Sequence, residues 1–411
     1  MPRRQSPSRS QSSSRSPSQT PDESSLIPFY NTTFVPCRVS PLYIGKEPLT
    51  SPRLQTIAQR LRDTLVGDVV RGVEVGLGRD GDDPILGRAG ALEAVEIRWV
   101  GMDGVLDMST RGGVFADQEN QGSGLYVVLR YENVECVALL VPGIEERQEW
   151  ERFFVGEDGG EADETQFLRL PLLLLRMPAP LKAVVCGFLE ATFDCRISPL
   201  RLGTRSLVRS WEAWIRTAGL PTRGATAKDF VVTLGFYIPP KEVDGEESDE
   251  EEIRQLGLKS VDLFIPVGEL RKFVGAADAT VVKEHKRKTV DTASEDDPKK
   301  RRKLAGRLQE EGWEWRMADA EDDPLVDQPF TEALACYVDQ HLGLRLFHPG
   351  TRIIRIACGG FVMSEGRLKL FAPADLGEGM DGDVSSTGQR AAIFELLQGL
   401  VQKAQGRDVT A

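Results

Sequence analysis

The spacing of apolar positions changes several times along the chain, and each change marks an element. Phe34, Val35 and Val39 flank Pro36 in a run of β-formers closed by Ser40-Pro41-Leu42, which predicts an interrupted edge strand leading into a turn. Over residues 53–66 the period lengthens. Leu54, Ile57, Ala58, Leu61 and Leu65 recur every three or four positions, and Gln55, Gln59, Arg62 and Asp63 fall on the other side. An amphipathic helix is expected there, with Pro52 suiting its first turn and Gly67 its exit. Alternation then returns in 69–77, 91–100 and 125–130, and 134–141 (VECVALLV) is apolar enough for a buried strand. A short helix is expected over 145–154.

Past an acidic stretch at 157–164 come two apolar segments, 167–175 and 181–193, and then a repeat. Cys195-Arg196-Ile197-Ser198-Pro199-Leu200-Arg201-Leu202-Gly203 matches Cys37-Arg38-Val39-Ser40-Pro41-Leu42-Tyr43-Ile44-Gly45 at six of nine positions. Each copy precedes an amphipathic helix, the second over 206–218 with Leu207, Trp211, Trp214 and Ile215 on one face. The pattern predicts an internal duplication into two related α+β halves. Further strands are expected at 229–238 and 256–266, then a short helix at 267–274. A helix at 329–342 turns Phe330, Leu334, Tyr337 and Val338 inward. Residues 352–358 and 360–371 read as a β-hairpin around Ser364-Glu365-Gly366. A helix over 389–404 closes the chain with Ile393, Phe394, Leu397, Leu400 and Val401. The expected organisation is an arm at 1–25, an α+β domain at 26–156, a linker at 157–164 and a central α+β segment at 165–275. A charged linker at 276–312 follows, then a C-terminal α+β segment at 313–411 packed on the central one.

Composition narrows the function classes. With 411 residues and 40% hydrophobic content the chain can bury sizeable cores, and a net charge of −12 excludes a surface that is basic throughout. Residues 1–25 are Ser, Arg, Pro and Gln without apolar periodicity, a disordered arm. Its Arg-Ser pairs are too few for a splicing-factor tail. Ser6, Ser16 and Thr20 each precede proline and read as proline-directed phosphorylation sites, and Ser248 lies three residues before Glu251 in an acidic run, the spacing of an acid-directed site. The arm has no signal-like apolar region and the longest apolar run, 170–175, is too short for a bilayer, so a soluble intracellular protein is expected.

The six cysteines form no Cys-x-x-Cys pair and the three histidines are not placed to complete a zinc site, so reduced buried thiols are expected and no metal. Asp80, Asp82 and Asp83 lack the Glu of a calcium loop. Gly76-x-Gly78 and Gly122-x-Gly124 lack the spacing of a nucleotide fingerprint, no phosphate loop is present, and no nucleophile, base and acid fall into a pattern. A non-enzymatic protein without cofactors follows. Ten residues separate Lys286, Arg287 and Lys288 from Lys299, Lys300, Arg301, Arg302 and Lys303. That is the spacing of a bipartite nuclear-import signal, with weak contact to DNA phosphates as a second use.

The stretch FYNTTFVPCRVSPLYIG, followed by the helix and DVVRGVEVGL, resembles the opening of the inner-kinetochore CENP-L family in its fungal form. Ser40-Pro41-Leu42-Tyr43 carries the likeness together with its flanking strand and helix, and the likeness extends from about Pro28 to the C-terminus. The resemblance implies a curved, mostly antiparallel sheet with helices packed on one face. It also implies a structural role in the constitutive centromere-associated network: a heterodimer with a CENP-N-like subunit that reads the CENP-A nucleosome, and surfaces for CENP-C and neighbouring subunits. Under that reading the hairpin at 352–371 is an exposed edge for the partner, with Ile354, Ile356, Phe361 and Val362 supplying apolar burial, and the free chain can pair with a second copy. The alternative is a nuclear nucleic-acid-binding protein that uses the Arg-Ser arm and the basic linker.

Overall fold

The first strand, β1 (Thr33–Val39), is the seam of the molecule. The computed structural model describes residues 29–70, 89–101, 123–143, 166–219, 227–237, 258–270, 272–273, 312–313, 315–316, 328–373 and 380–406. After β1 come β2 (Leu42–Tyr43), α1 (Ser51–Val70), β3 (Leu92–Gly101), β4 (Ser123–Tyr131), β5 (Glu135–Val141), β6 (Phe167–Leu168), β7 (Leu172–Arg176) and α2 (Ala179–Phe193). The chain continues through β8 (Ile197–Pro199), α3 (Thr204–Ala218), β9 (Phe230–Phe236), β10 (Ser260–Ile265) and α4 (Pro329–Leu342). It ends with β11 (Thr351–Ala357), β12 (Phe361–Ser364), β13 (Arg367–Leu370) and α5 (Met380–Gln405). Among the described residues eleven strands form one sheet in the order β10-β9-β11-β12-β13-β1-β7-β5-β4-β3, with β8 also on β1. Every pairing is antiparallel. The fold is α+β.

β1 is therefore not an edge strand. One side pairs with β7, and the other pairs first with β13, at Thr33 and Phe34, then with β8, at Cys37 to Val39. Pro36 sits where the partner changes, so its missing N–H falls in a gap between ladders, and its carbonyl still accepts from the Leu200 N–H at 3.1 Å. Helix α1 passes through Gly67 to Val70, which corrects both the expected exit and the start of the expected strand at 69; the rest of 69–77, and the helix expected at 145–154, lie outside the described residues.

The two copies of the repeated motif are hydrogen-bonded to each other. Cys37 pairs with Pro199, Arg38 with Ser198 and Val39 with Ile197. The elements repeat as well. The first half runs motif strand, helix, the meander β3-β4-β5-β7 and a helix. The second runs motif strand, helix, the meander β9-β11-β12-β13 and a helix, with β10 added outside β9 and α4 inserted. Pairing of β7 with β1 and β5 keeps residues 166–193 with the first half.

Alternate residues of the first-half strands enter two different cores. Leu125, Val127, Leu129, Ala138, Leu140, Leu173 and Leu175 face α1 and α2, where Leu54, Leu61, Leu181, Val185 and Leu189 are buried with them. Tyr126, Val128, Val137, Leu139, Leu172 and Leu174 face the other way, into a core shared with α3, α4 and α5. Among the described residues the second half is covered on one face, by Trp211 and Trp214 of α3, Phe330 and Leu334 of α4, and Ile393, Leu397 and Val401 of α5. Helices on one face thus hold for the second half, whereas the first half is enclosed between two layers. Tyr337 and Phe394, expected inward, are 41% and 42% exposed, because each sits at the margin of its helix's buried stripe.

The buried carboxylate of Glu212 on α3 fixes the start of α4: its Oε1 accepts from the Thr331 N–H at 2.8 Å and from the Thr331 hydroxyl at 2.6 Å. Gln328, at the N-cap position of α4, makes no side-chain cap, so a residue on another helix supplies the missing acceptor.

Candidate functional site

Among the described residues no helix lies over one large face of the sheet, and the registers define what it presents. Phe264 of β10 pairs with Val231 of β9, Val231 with Ala357 of β11, Ala357 with Val362 of β12 and Val362 with Lys369 of β13. Directly paired residues point to the same side, so these five form an apolar row that ends in a lysine. The next row is polar: Asp262, Thr233, Arg355, Ser364 and Arg367. Its outer end is pinned by a hydrogen bond from the Thr233 hydroxyl to Asp262 Oδ1 at 2.5 Å. Beyond lies Ile354, at the irregularity between Ile353 and Arg355, lying so close over Gly235 that a Cβ there would come within 2.9 Å of it. Arg352 stacks its guanidinium on Tyr237 at 4.4 Å.

β10 ends the sheet, pairing among the described residues with β9 alone. Phe264 is 66% exposed there, between the buried Leu263 and Ile265. This edge and the face behind it are the candidate docking surface.

That corrects the expected position of the edge. β11 is held between β9 and β12, and β13 between β12 and β1, so the 352–371 segment is the middle of a sheet with both sides satisfied. It is also a three-stranded meander, with a turn at 358–360 as well as at 365–366. The four residues expected at a partner interface split by face. Ile356 and Phe361 are 1% and 0% exposed, Phe361 against the edge of Trp214 at 5.3 Å, so they belong to the core. Ile354 and Val362 are half-buried on the open face. The sequence signal missed was Phe264: in Val261-Asp262-Leu263-Phe264-Ile265 it occupies the polar phase of an alternating strand, beside Asp262.

All six cysteines are free; Cys37, Cys136 and Cys358 are buried. Burial pushes the thiol pKa of Cys136, Cys186 and Cys195 up to about 11 and of Cys358 to about 12, and raises that of Cys37, the reverse of what activates a nucleophile. His341 lies against the Tyr337 ring, and His348 Nδ1 accepts from the Gly350 N–H at 3.0 Å. Among the described residues no group of three or more His, Cys, Asp or Glu side chains is placed to hold a metal, and no helix is long and apolar enough to cross a membrane. The expected import clusters (Lys286, Arg287, Lys288, Lys299, Lys300, Arg301, Arg302, Lys303) and the expected phosphorylation sites (Ser6, Ser16, Thr20, Ser248) lie outside the described residues.

A search of curated proteins found no match to the chain. The model of the family described as Centromere protein L matches residues 28–405, nearly the whole sequence and both halves of the sheet. The chain belongs to the centromere protein L family, a structural family of the inner kinetochore that serves chromosome segregation at the centromere.

Proposed function

We propose that this chain is a non-enzymatic subunit that pairs with a CENP-N-like protein and so links CENP-A chromatin to the rest of the kinetochore, touching the nucleosome through that partner and offering other surfaces to CENP-C. The observation that carries the pairing is the end of the sheet at β10, where an exposed Phe264 stands on an edge strand next to an apolar row that no described helix covers. An edge offers backbone donors and acceptors that a partner strand satisfies, and the row behind it offers area to bury. Two clusters of basic residues at 286–288 and 299–303 carry the subunit into the nucleus. Alone, the chain pairs through the same edge with a second copy.

The test is co-expression of the full chain with the C-terminal part of the same organism's CENP-N, followed by size-exclusion chromatography with light scattering. At about 0.3 M salt exposed charge pairs are largely screened. A single one-to-one peak is expected, and Phe264→Asp combined with Val362→Asp separates the partners while circular dichroism stays unchanged. Two separate peaks from wild-type proteins overturn the pairing; a peak that survives the double substitution moves the interface elsewhere.

A further inference from the structure

The repeated motif makes a second site, far from β10, by a simple consequence of strand geometry. Both copies carry Arg-x-Ser, at Arg38/Ser40 and Arg196/Ser198. Because β1 and β8 run antiparallel with Arg38 opposite Ser198, and the backbone N–H of Ser40 donates to the Arg196 carbonyl at 3.0 Å, these four residues share one side of the ladder. The Cys and Val/Ile positions between them face the opposite core. Arg169 reaches the same place from the turn before β7. The result is a cavity of about 380 Å³ lined by Arg38, Arg169, Arg196, Ser40 and Ser198, with no described acidic side chain in its wall. Neither Arg169 nor Arg196 forms an ion pair with a described residue; Arg38 uses one nitrogen to hold the Lys403 carbonyl at 2.9 Å, near the end of α5.

We propose that this cavity docks the chain's own N-terminal arm when Ser16 or Thr20 is phosphorylated. Three arginines and two serines lining one small volume can offer more donors than a carboxylate's two oxygens can take, and suit the three oxygens and near-double charge of a phosphate monoester. Their compact grouping favours one phosphate on a peptide over the spaced phosphates of a duplex. Pro41 and Pro171 in the wall give an apolar surface for the proline that follows each phosphorylated residue. Residues 1–25 carry Arg3, Arg4, Arg9 and Arg15 against Asp22 and Glu23, so without phosphate the arm is on balance repelled by the same arginines; a phosphate on Ser16 or Thr20, at about −1.5 to −2, turns the contact at that residue attractive. Reach is sufficient. β1 carries the chain about 20 Å toward the cavity at ~3.3 Å per residue, and Thr20 and Ser16 precede Phe29 by nine and thirteen positions, extended tethers of about 30 and 43 Å.

The probe is a fluorescein-labelled peptide of residues 12–24 phosphorylated on Ser16 and Thr20, titrated by fluorescence anisotropy into unphosphorylated full-length protein. It is expected to bind at least about tenfold more tightly than the unphosphorylated peptide, and the exposed pair Arg169→Gln and Arg196→Gln is expected to remove the difference. Phosphorylating the arm of the full chain with a proline-directed kinase should then exclude the added peptide. Equal binding of the two peptides, or a difference that survives the double substitution, overturns the site. Labelled duplex DNA lost on the same double substitution, with no preference for the phosphopeptide, reassigns the arginines to nucleic acid. Phosphopeptide binding that phosphorylation of the arm leaves untouched assigns the cavity to a segment of another chain. Each of these readouts is independent of pairing at β10.

Discussion

Gly360, in the turn between β11 and β12, is the most tightly enclosed of the described glycines: a Cβ there would lie 1.9 Å from the Trp214 ring. Gly360→Ala must displace Trp214 from the core edge it shares with Phe361, and overpacking of that kind costs about 1–3 kcal/mol. A fall in the thermal midpoint with blue-shifted tryptophan emission lost is expected. Glu212→Ala strips the Thr331 N–H and hydroxyl of their acceptor inside the core, and leaving buried donors unsatisfied costs about 1–3 kcal/mol; urea unfolding should show the loss with an unchanged slope. Glu212 could not be identified from sequence. It is a polar position on an amphipathic helix, 6% exposed, and its reason for being there arrives 119 residues later. The thiols predict a pH dependence. The folded pKa of Cys136 is about 11 and of Cys358 about 12, raised by burial above an ordinary 9.0. Their contribution is fully present below pH 9. It is lost as pH rises through 11 to 12, because the unfolded chain releases those protons first. Thiol labelling at pH 8 should reach the exposed Cys336 early and Cys358 only on unfolding.

At the scale of elements, alternation located strands well and their neighbours poorly. The segment 352–371 was readable as β because Ile353, Ile356, Phe361, Met363, Leu368 and Leu370 recur with strand spacing. Nothing local states that β9 and β1 close both of its sides, since those partners come from 115 or more residues away. Pro36 invited an edge assignment for the same reason, as its tolerated position depends on a change of partner that only the assembled sheet contains. β10 carries the prediction at this scale. Phe264→Asp alone should leave the unfolding midpoint nearly unaltered, because a 66% exposed ring contributes little to the core, while weakening any partner or second copy that adds to the edge. Light scattering across a concentration series reads both effects.

Over the whole molecule, the seam decides behaviour. β1 belongs by sequence to the first half and pairs with β8 and β13 of the second, and Arg38 reaches α5. The halves therefore share one core boundary instead of a linker. Thermal unfolding followed by circular dichroism and by tryptophan fluorescence, with Trp99 reporting on the first half and Trp211 and Trp214 on the second, is expected to give one coincident transition. Two transitions would mean that the halves are separate folding units. The repeat of the motif was legible in six matching residues of nine. That the copies lie against each other, and so gather Arg38, Arg196 and Arg169 at one cavity, was not.

The sequence alone determined the α+β class, the helices α1 and α3 with their buried faces, the paired motifs and the family likeness, because periodicity and short motifs are written in neighbouring residues. Tertiary structure decided which strand is an edge, which face lies open and which polar groups meet. These depend on pairings between segments a hundred or more residues apart, whose outcome rests on the burial available to the whole chain and not on the local pattern of any one stretch.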